Sequence, residues 1–166
     1  IGRVSRQITA VQPLRDLFQQ IVELVQQTFN YYAVNIFIIN AKTQELELRA
    51  SSSVGFNSVT LAWGQGLVGW AAENNEAVHV RDVTQDERYF KSAALQATLS
   101  EVAMPLVVEE QVLGVLDIQS NLLDAFDADD LKTISALADQ LAIAIQESIN
   151  YDEERKQSER LNALVE

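Results

Sequence analysis

Ser100-Glu101-Val102-Ala103-Met104-Pro105-Leu106-Val107-Val108, then Glu109-Glu110-Gln111, then Val112-Leu113-Gly114-Val115-Leu116-Asp117-Ile118-Gln119-Ser120 is the most informative stretch of the chain. It reads as two strands joined by a short acidic loop, so the pair runs antiparallel. Val102, Met104, Leu106 and Val108 fall on one side of the first strand, Ala103 and Val107 on the other. An antiparallel sheet ordinarily leaves one face wet. Here both faces are apolar and need cover. Helices are expected on one face, and loops or a pocket on the other.

The flanking sequence supplies that cover. Leu14, Leu17, Phe18, Ile21, Leu24, Val25 and Phe29 recur at three and four, which predicts an N-terminal helix with Pro13 in or near its first turn. Tyr31 to Ile39 is rich in β-branched and aromatic residues and predicts a strand. Asn40 to Gln44 turns the chain, and Leu46, Leu48 and Ala50 alternate with Glu47 and Arg49 on a returning strand. Val59 to Trp63 reads as a short strand, Leu67 to Glu73 as a short helix, and Ala77 to Val80 as extended. Thr84 to Ala97 is a polar loop with short helices. Asp127 is a good N-cap for a long helix in which Leu131, Ile134, Leu137, Ala138, Leu141, Ile145 and Ile149 face inward. Run to Glu166, this helix would span about 60 Å, whereas a domain of this length has a radius of gyration of about 15 Å. It should overhang the domain. A polar helix alone in water is marginal, so a partner helix in a homodimer is the expected remedy.

With 166 residues the chain fits one domain. The expected parts are an N-terminal helix over 1–29, a core over 30–150 and a helical, coiled-coil extension over 151–166. It has no cysteine, which removes disulfides, thiolate metal sites and cysteine nucleophiles. Twenty-four acidic residues against 12 basic ones give a net charge of −12, which disfavours nucleic acid and anionic membrane surfaces as partners. No stretch reaches the ~18 apolar residues of a membrane helix, and no secretory signal is visible, so a cytoplasmic location is expected. The chain starts at Ile1 rather than Met, which suggests a piece of a longer protein with an output domain beyond it.

Gly64-x-Gly66-x-x-Gly69 has the letters of a dinucleotide fingerprint without the βαβ context. It reads better as a strand-to-helix turn whose free N–H groups can receive an anionic or carbonyl group. His79, the sole histidine, is expected to pack or lie at the surface. Asp124, Asp127, Asp129 and Asp130 lack the glycine and terminal glutamate of a calcium loop, and capping explains three of them. Trp63, Trp70, Tyr89, Phe90 and Met104 either pack in the core or line a small-molecule cavity, to which Ser100, Glu101, Asp117 and Gln119 could add polar groups. No catalytic constellation is present.

Gly64 to Ala72, Ala77 to Val83, Asp86 to Tyr89, Ser100 to Leu106, Leu113 to Ser120, Phe126-Asp127 and Leu137 to Ile145, in this order, resemble a GAF domain over roughly Leu14 to Tyr151. The resemblance implies an α+β fold: a five- to six-stranded antiparallel sheet with the N- and C-terminal helices on one face and a loop-enclosed pocket on the other. It implies a pocket drawn from Trp63, Gly66, Leu67, Val68, Trp70, Asp82, Val83, Tyr89, Phe90, Ser100, Glu101, Met104, Asp117 and Gln119. Phytochrome-like members attach a bilin to cysteine, which is excluded here. Haem-binding members carry a histidine in the loop before the penultimate strand, and Ala93 to Leu99 has none. Cyclic-nucleotide members carry an Asn-Lys…Phe-x-x-x-Asp-Glu pattern. Asn121, Phe126 and Asp130 match it, while Leu122 and Leu131 stand where it has lysine and glutamate, so that ligand is disfavoured. Free methionine sulfoxide reductases share the fold but use cysteines, which sets that class aside. The resulting expectation is a non-catalytic sensory domain of a bacterial signalling protein of the sensor histidine kinase, two-component type. It would bind a small molecule and relay through dimeric terminal helices. Two rivals are a ligand-free dimerisation and relay module and an enzyme using the lone histidine or a carboxylate pair.

Overall fold

The computed structural model describes residues 14–165. Pro13, the side chain of Leu14 and the first part of the expected 1–29 segment lie outside the described residues. The periodic N-terminal segment forms helix α1 (Leu14–Phe29). The strands are β1 (Ala33–Ile39), β2 (Leu46–Ser51), β3 (Thr60–Leu61), β4 (Val78–Val80), β5 (Ser100–Val108) and β6 (Gln111–Ser120). Helix α2 (Gly66–Asn74) follows the glycine turn, and α3 (Ala128–Val165) closes the chain. The polar stretch after β4 holds two single 3₁₀ turns, Val83–Gln85 and Ala93–Leu95, started by side-chain caps from Asp82 and Ser92.

The strands make one six-stranded sheet in the order β3-β2-β1-β6-β5-β4, with every neighbouring pair antiparallel. This is the α+β architecture expected. Side chains alternate across the sheet, so each strand serves two cores. Phe18 and Val22 of α1, Val34, Ile36, Val102, Leu106, Leu116 and Ile118 of the strands, and Ile134, Ala138, Leu141 and Ile145 of α3 form one. Ala33, Phe37, Leu46, Ala103 and Val115 pack on the opposite face against Leu67, Val68, Ala71 and Ala72 of α2 and the loop residues Phe56 and Leu95. Both faces are dry, as the strand composition requires.

Two local features depart from the simplest reading. The β5–β6 connection is the pair Glu109-Glu110, with φ +51° and +68°. A two-residue turn with left-handed conformation at both positions matches the strand twist, yet it is strained for residues with a Cβ. Replacing the pair by Asn-Gly is expected to stabilise the domain by about 1 kcal/mol, read as a higher urea midpoint. An unchanged midpoint would remove the strain argument. In β2, Ala50 pairs with Ile36 and Leu48 with Phe37, so Arg49 is an extra, bulged residue.

Asp127 and Asp130 start α3 reciprocally: the Asp130 N–H donates to Asp127 Oδ1 (2.8 Å) and the Asp127 N–H to Asp130 Oδ2 (2.9 Å). The helix continues for 38 residues, about 57 Å. Its side chains from Tyr151 to Leu164 are nearly all exposed. It overhangs the sheet as expected.

Candidate functional site

The α2 face of the sheet is apolar except where three strands and a loop place polar side chains together. Asn35 of β1 stands opposite Asp117 of β6, and Gln119 of β6 stands opposite Glu101 of β5. All four side chains are buried. Asp117 Oδ2 accepts from Asn35 Nδ2 (3.0 Å) and Gln119 Nε2 (2.8 Å). Gln119 Oε1 accepts from the Thr98 hydroxyl (2.6 Å), and Asn35 Oδ1 from the Ser51 hydroxyl (2.6 Å). The network fixes one carboxylate oxygen and leaves the other, Asp117 Oδ1, buried with no donor beside it but a proton on Glu101. A buried acceptor in that state is costly, and it marks where a donor belongs.

Glu101 is 4% exposed and Asp117 1%. Burial, the Asp117 charge and a hydrogen bond to Asp117 push the Glu101 carboxyl well above the usual carboxylate range. Two buried carboxyls side by side hold a shared proton or a cation better than two charges. The Tyr89 hydroxyl is likewise raised, by burial first, with the Glu101 and Asp117 charges adding.

These groups form the floor of a cavity of about 20 Å³. Its walls include Phe37, Phe56, Leu61, Leu67 and Val68, and its roof includes Tyr89, Phe90 and Ser92. Gly66 brings the chain under the roof. It has φ +71°, and a Cβ there would meet Phe90 Cβ at 3.0 Å. The N–H groups of Gly66, Leu67 and Val68 belong to the first turn of α2, where a helix has no internal acceptors for them.

The structure thus brings together Gly66, Leu67, Val68, Tyr89, Phe90, Glu101, Asp117 and Gln119. It places the other six candidates elsewhere. Met104 packs with the terminal helices because it shares the parity of Val102, not of Glu101. The Ser100 hydroxyl donates to the Leu122 carbonyl (2.7 Å). Asp82 accepts from the Thr84 N–H (3.0 Å) and hydroxyl (2.7 Å), and Val83 is buried in the apolar layer beneath. Trp70 lies under the Arg88 guanidinium, 4.6 Å from its ring centre, and Trp63 is 40% exposed. Sequence reasoning missed Asn35, Thr98, Phe37, Phe56, Leu61, Ser92 and Leu95. Asn35 carried a signal: it is the one polar residue within Ala33–Ile39.

His79 lies on the other face of the sheet, edge-on to Phe126 with ring centres 6.1 Å apart. Burial, and then Arg81, hold its pKa below the ordinary value. Among the described residues no group of three His, Asp or Glu side chains is placed to hold a metal ion, and no helix is long and apolar enough to cross a membrane.

The charge arrangement gives a direct prediction. Because its folded pKa is raised, Glu101 favours folding fully only below its unfolded value near 4.5. That contribution is lost as pH rises through the folded pKa. Glu101→Gln keeps a donor toward Asp117 and removes the titration. The variant is expected to melt a few °C above the parent at pH 8, as about 1 kcal/mol gives in a chain of this size. The difference should vanish near pH 4. Parallel melting curves across pH would contradict the assignment.

The GAF domain family model matches residues 11–146, and the chain belongs to that family. It is 34% identical over 83 residues to the free methionine-R-sulfoxide reductase of Escherichia coli (strain K12), covering 50% of this chain and 49% of that protein. It is 28% identical over 120 residues to the dual 3',5'-cyclic-AMP and -GMP phosphodiesterase 11A of Takifugu rubripes, covering 69% of this chain and 13% of that protein. The chain therefore spans about half of one relative and a small part of the other. Among solved structures, the type II free methionine-R-sulfoxide reductase of Thermoplasma acidophilum matches with a TM-score of 0.72 and 25% identity, covering 80% of this chain and 92% of that one.

These relatives correct the expectation of a non-catalytic sensory domain, and with it the sensor histidine kinase and two-component association. The chain's similarity runs to enzymes built on this fold, which also overturns the expectation that it is not one. Setting the reductases aside on cysteine count alone weighed only the thiol.

Proposed function

We propose that the cavity on the α2 face is a substrate pocket for a free amino acid of the methionine sulfoxide class, the substrate named for the relatives. One observation carries the reading: Asp117 Oδ1, which only a proton on Glu101 can satisfy, at the buried floor of an otherwise apolar cavity. An ammonium group supplies the missing donor and a charge that either carboxylate attracts. The free N–H groups that open α2 suit the carboxylate of the same molecule, and the Phe37, Phe56 and Leu61 walls suit its side chain. At about 20 Å³ the closed cavity has room for little more than one water. The ligand must displace the Tyr89–Ser92 roof outward, in which Phe90 is 43% exposed.

Reduction of a sulfoxide consumes two electrons and two protons and releases water and the thioether. The chain has no cysteine. Both electrons therefore come from an external dithiol, which leaves as a disulfide, while the pocket binds and orients the sulfoxide. The test is a binding titration with the R and S epimers of free methionine sulfoxide and with methionine, followed by turnover with dithiothreitol. Tighter binding of one sulfoxide epimer with thiol-dependent thioether formation supports the reading. No binding of any of the three removes it.

We also propose that the chain pairs with a second copy through the overhanging part of α3. Tyr151, Leu161 and Leu164 are exposed there, Ile143 is exposed on the packed part before it, and such a helix gains stability from a partner. Sedimentation equilibrium is expected to show a dimer; a monomer at every concentration would contradict it.

A further inference from the structure

We propose that the groove between α1, the end of β2 and the loop that follows it is a second binding site, for a small oxyanion carrying a phosphate or carboxylate group. The groove measures about 400 Å³, within the range of metabolite sites. It lies apart from the acidic cavity and, among the described residues, shares only Phe56 with its lining.

Three observations carry the assignment. The first is charge. Acidic residues outnumber basic ones two to one in this chain, 24 to 12, yet among the described residues the groove is lined by Arg15 and Arg49 and by no acidic residue. The second is that its donors are unspent. Among the described residues neither guanidinium makes an ion pair or hydrogen bond, and the side chains of Ser53 and Asn57 on the same wall make none either. A guanidinium presents a planar fork matched to two oxygens of a carboxylate or phosphate, so two of them lining one groove suit a small dianion. The third is the backbone. Arg49 is the extra residue of the β1–β2 bulge, with no residue opposite it. Bulges re-aim side chains out of the ladder and recur beside functional sites. A regular strand would set Arg49 in the alternation of its neighbours Leu48 and Ala50, which point into the two cores.

The groove is also tied to the acidic cavity. Ser51, on its wall, donates to Asn35, which donates to Asp117. The proposal stands independently of the reading of that cavity.

The experiment is a ¹H–¹⁵N NMR titration of the full chain with inorganic pyrophosphate, and separately with succinate, which distinguishes phosphate from carboxylate. Saturable shifts are expected at Arg15, Arg49 and the Ser53–Asn57 loop with at least one probe. The double variant Arg15→Ala/Arg49→Ala should weaken binding at least about tenfold, the loss expected for two charge-assisted contacts. Arg49→Lys, which keeps the charge and loses the fork, should weaken it by a smaller factor. Both arginines are exposed, so the double variant is expected to keep the parent melting temperature. Non-saturating shifts with both probes, or an equal response in the double variant, would overturn the proposal. So would a double variant that no longer folds, because the arginines would then be structural.

Discussion

Gly114→Ala is expected to unfold the domain or to cost on the order of 4 kcal/mol, the top of the range for one substitution. Gly114 is buried mid-strand in β6, paired with Ile38 of β1 on one side and Leu106 of β5 on the other. A Cβ built there would overlap the Phe37 carbonyl oxygen and lie 3.1 Å from Ile38 Cα. Both obstacles are backbone atoms, so no side-chain rotation relieves them. Relief means prying β1 from β6, and that pairing lies at the centre of the sheet and holds Asn35 against Asp117. Total stabilities of 5–15 kcal/mol are typical, so a loss of about 4 removes a large share. Urea unfolding followed by circular dichroism measures it. A midpoint equal to the parent's would show that the strands have room the structure does not give them.

Asp117→Asn is expected to act oppositely on binding and on stability. The substitution keeps the shape of the side chain and removes its charge. On the proposed reading, an ammonium ligand loses its principal counter-charge in a water-poor site, where truncating one partner of a buried charge pair costs about 2–5 kcal/mol. Affinity should fall roughly 30-fold or more, since each 1.4 kcal/mol is about tenfold. Without ligand, the variant removes the charge that faces Glu101. Its melting temperature should therefore hold or rise at neutral pH. Titration of free methionine sulfoxide into parent and variant, with melting curves for each, gives both signs. Equal affinity would show that Asp117 only braces the network.

The two-layer architecture was legible because the strands repeat their burial on both faces. Val102, Leu106, Leu116 and Ile118 demanded one cover, and Ala103 and Val115 another. The site was legible only in part. Glu101, Asp117 and Gln119 are acidic or amide side chains in strongly apolar strands, and such residues stay buried only when partnered. Met104 and Ser100 could have been separated from Glu101 by strand parity alone, since odd and even residues of β5 point to opposite cores. Trp63 and Asp82 could not, because loop geometry carries no period. The lining residues Phe56, Ser92 and Leu95 come from that same irregular backbone, and only the fold brings them over the sheet. The bulge at Arg49 was hidden for another reason: Leu46, Leu48 and Ala50 alternate cleanly in sequence, while the extra residue shows only in the pairing.

The account rests on a buried pair of carboxyl groups that exchanges a proton for a ligand's ammonium. Calorimetric titration of free methionine sulfoxide over a series of pH values upward from the ordinary carboxylate range, in two buffers of different ionisation enthalpy, measures that exchange. Protons should be released to the buffer on binding by the parent, because the incoming ammonium favours the ionised form of Glu101, and none should be released by Glu101→Gln. Binding with no proton release in the parent, or the same release in both proteins, would contradict it.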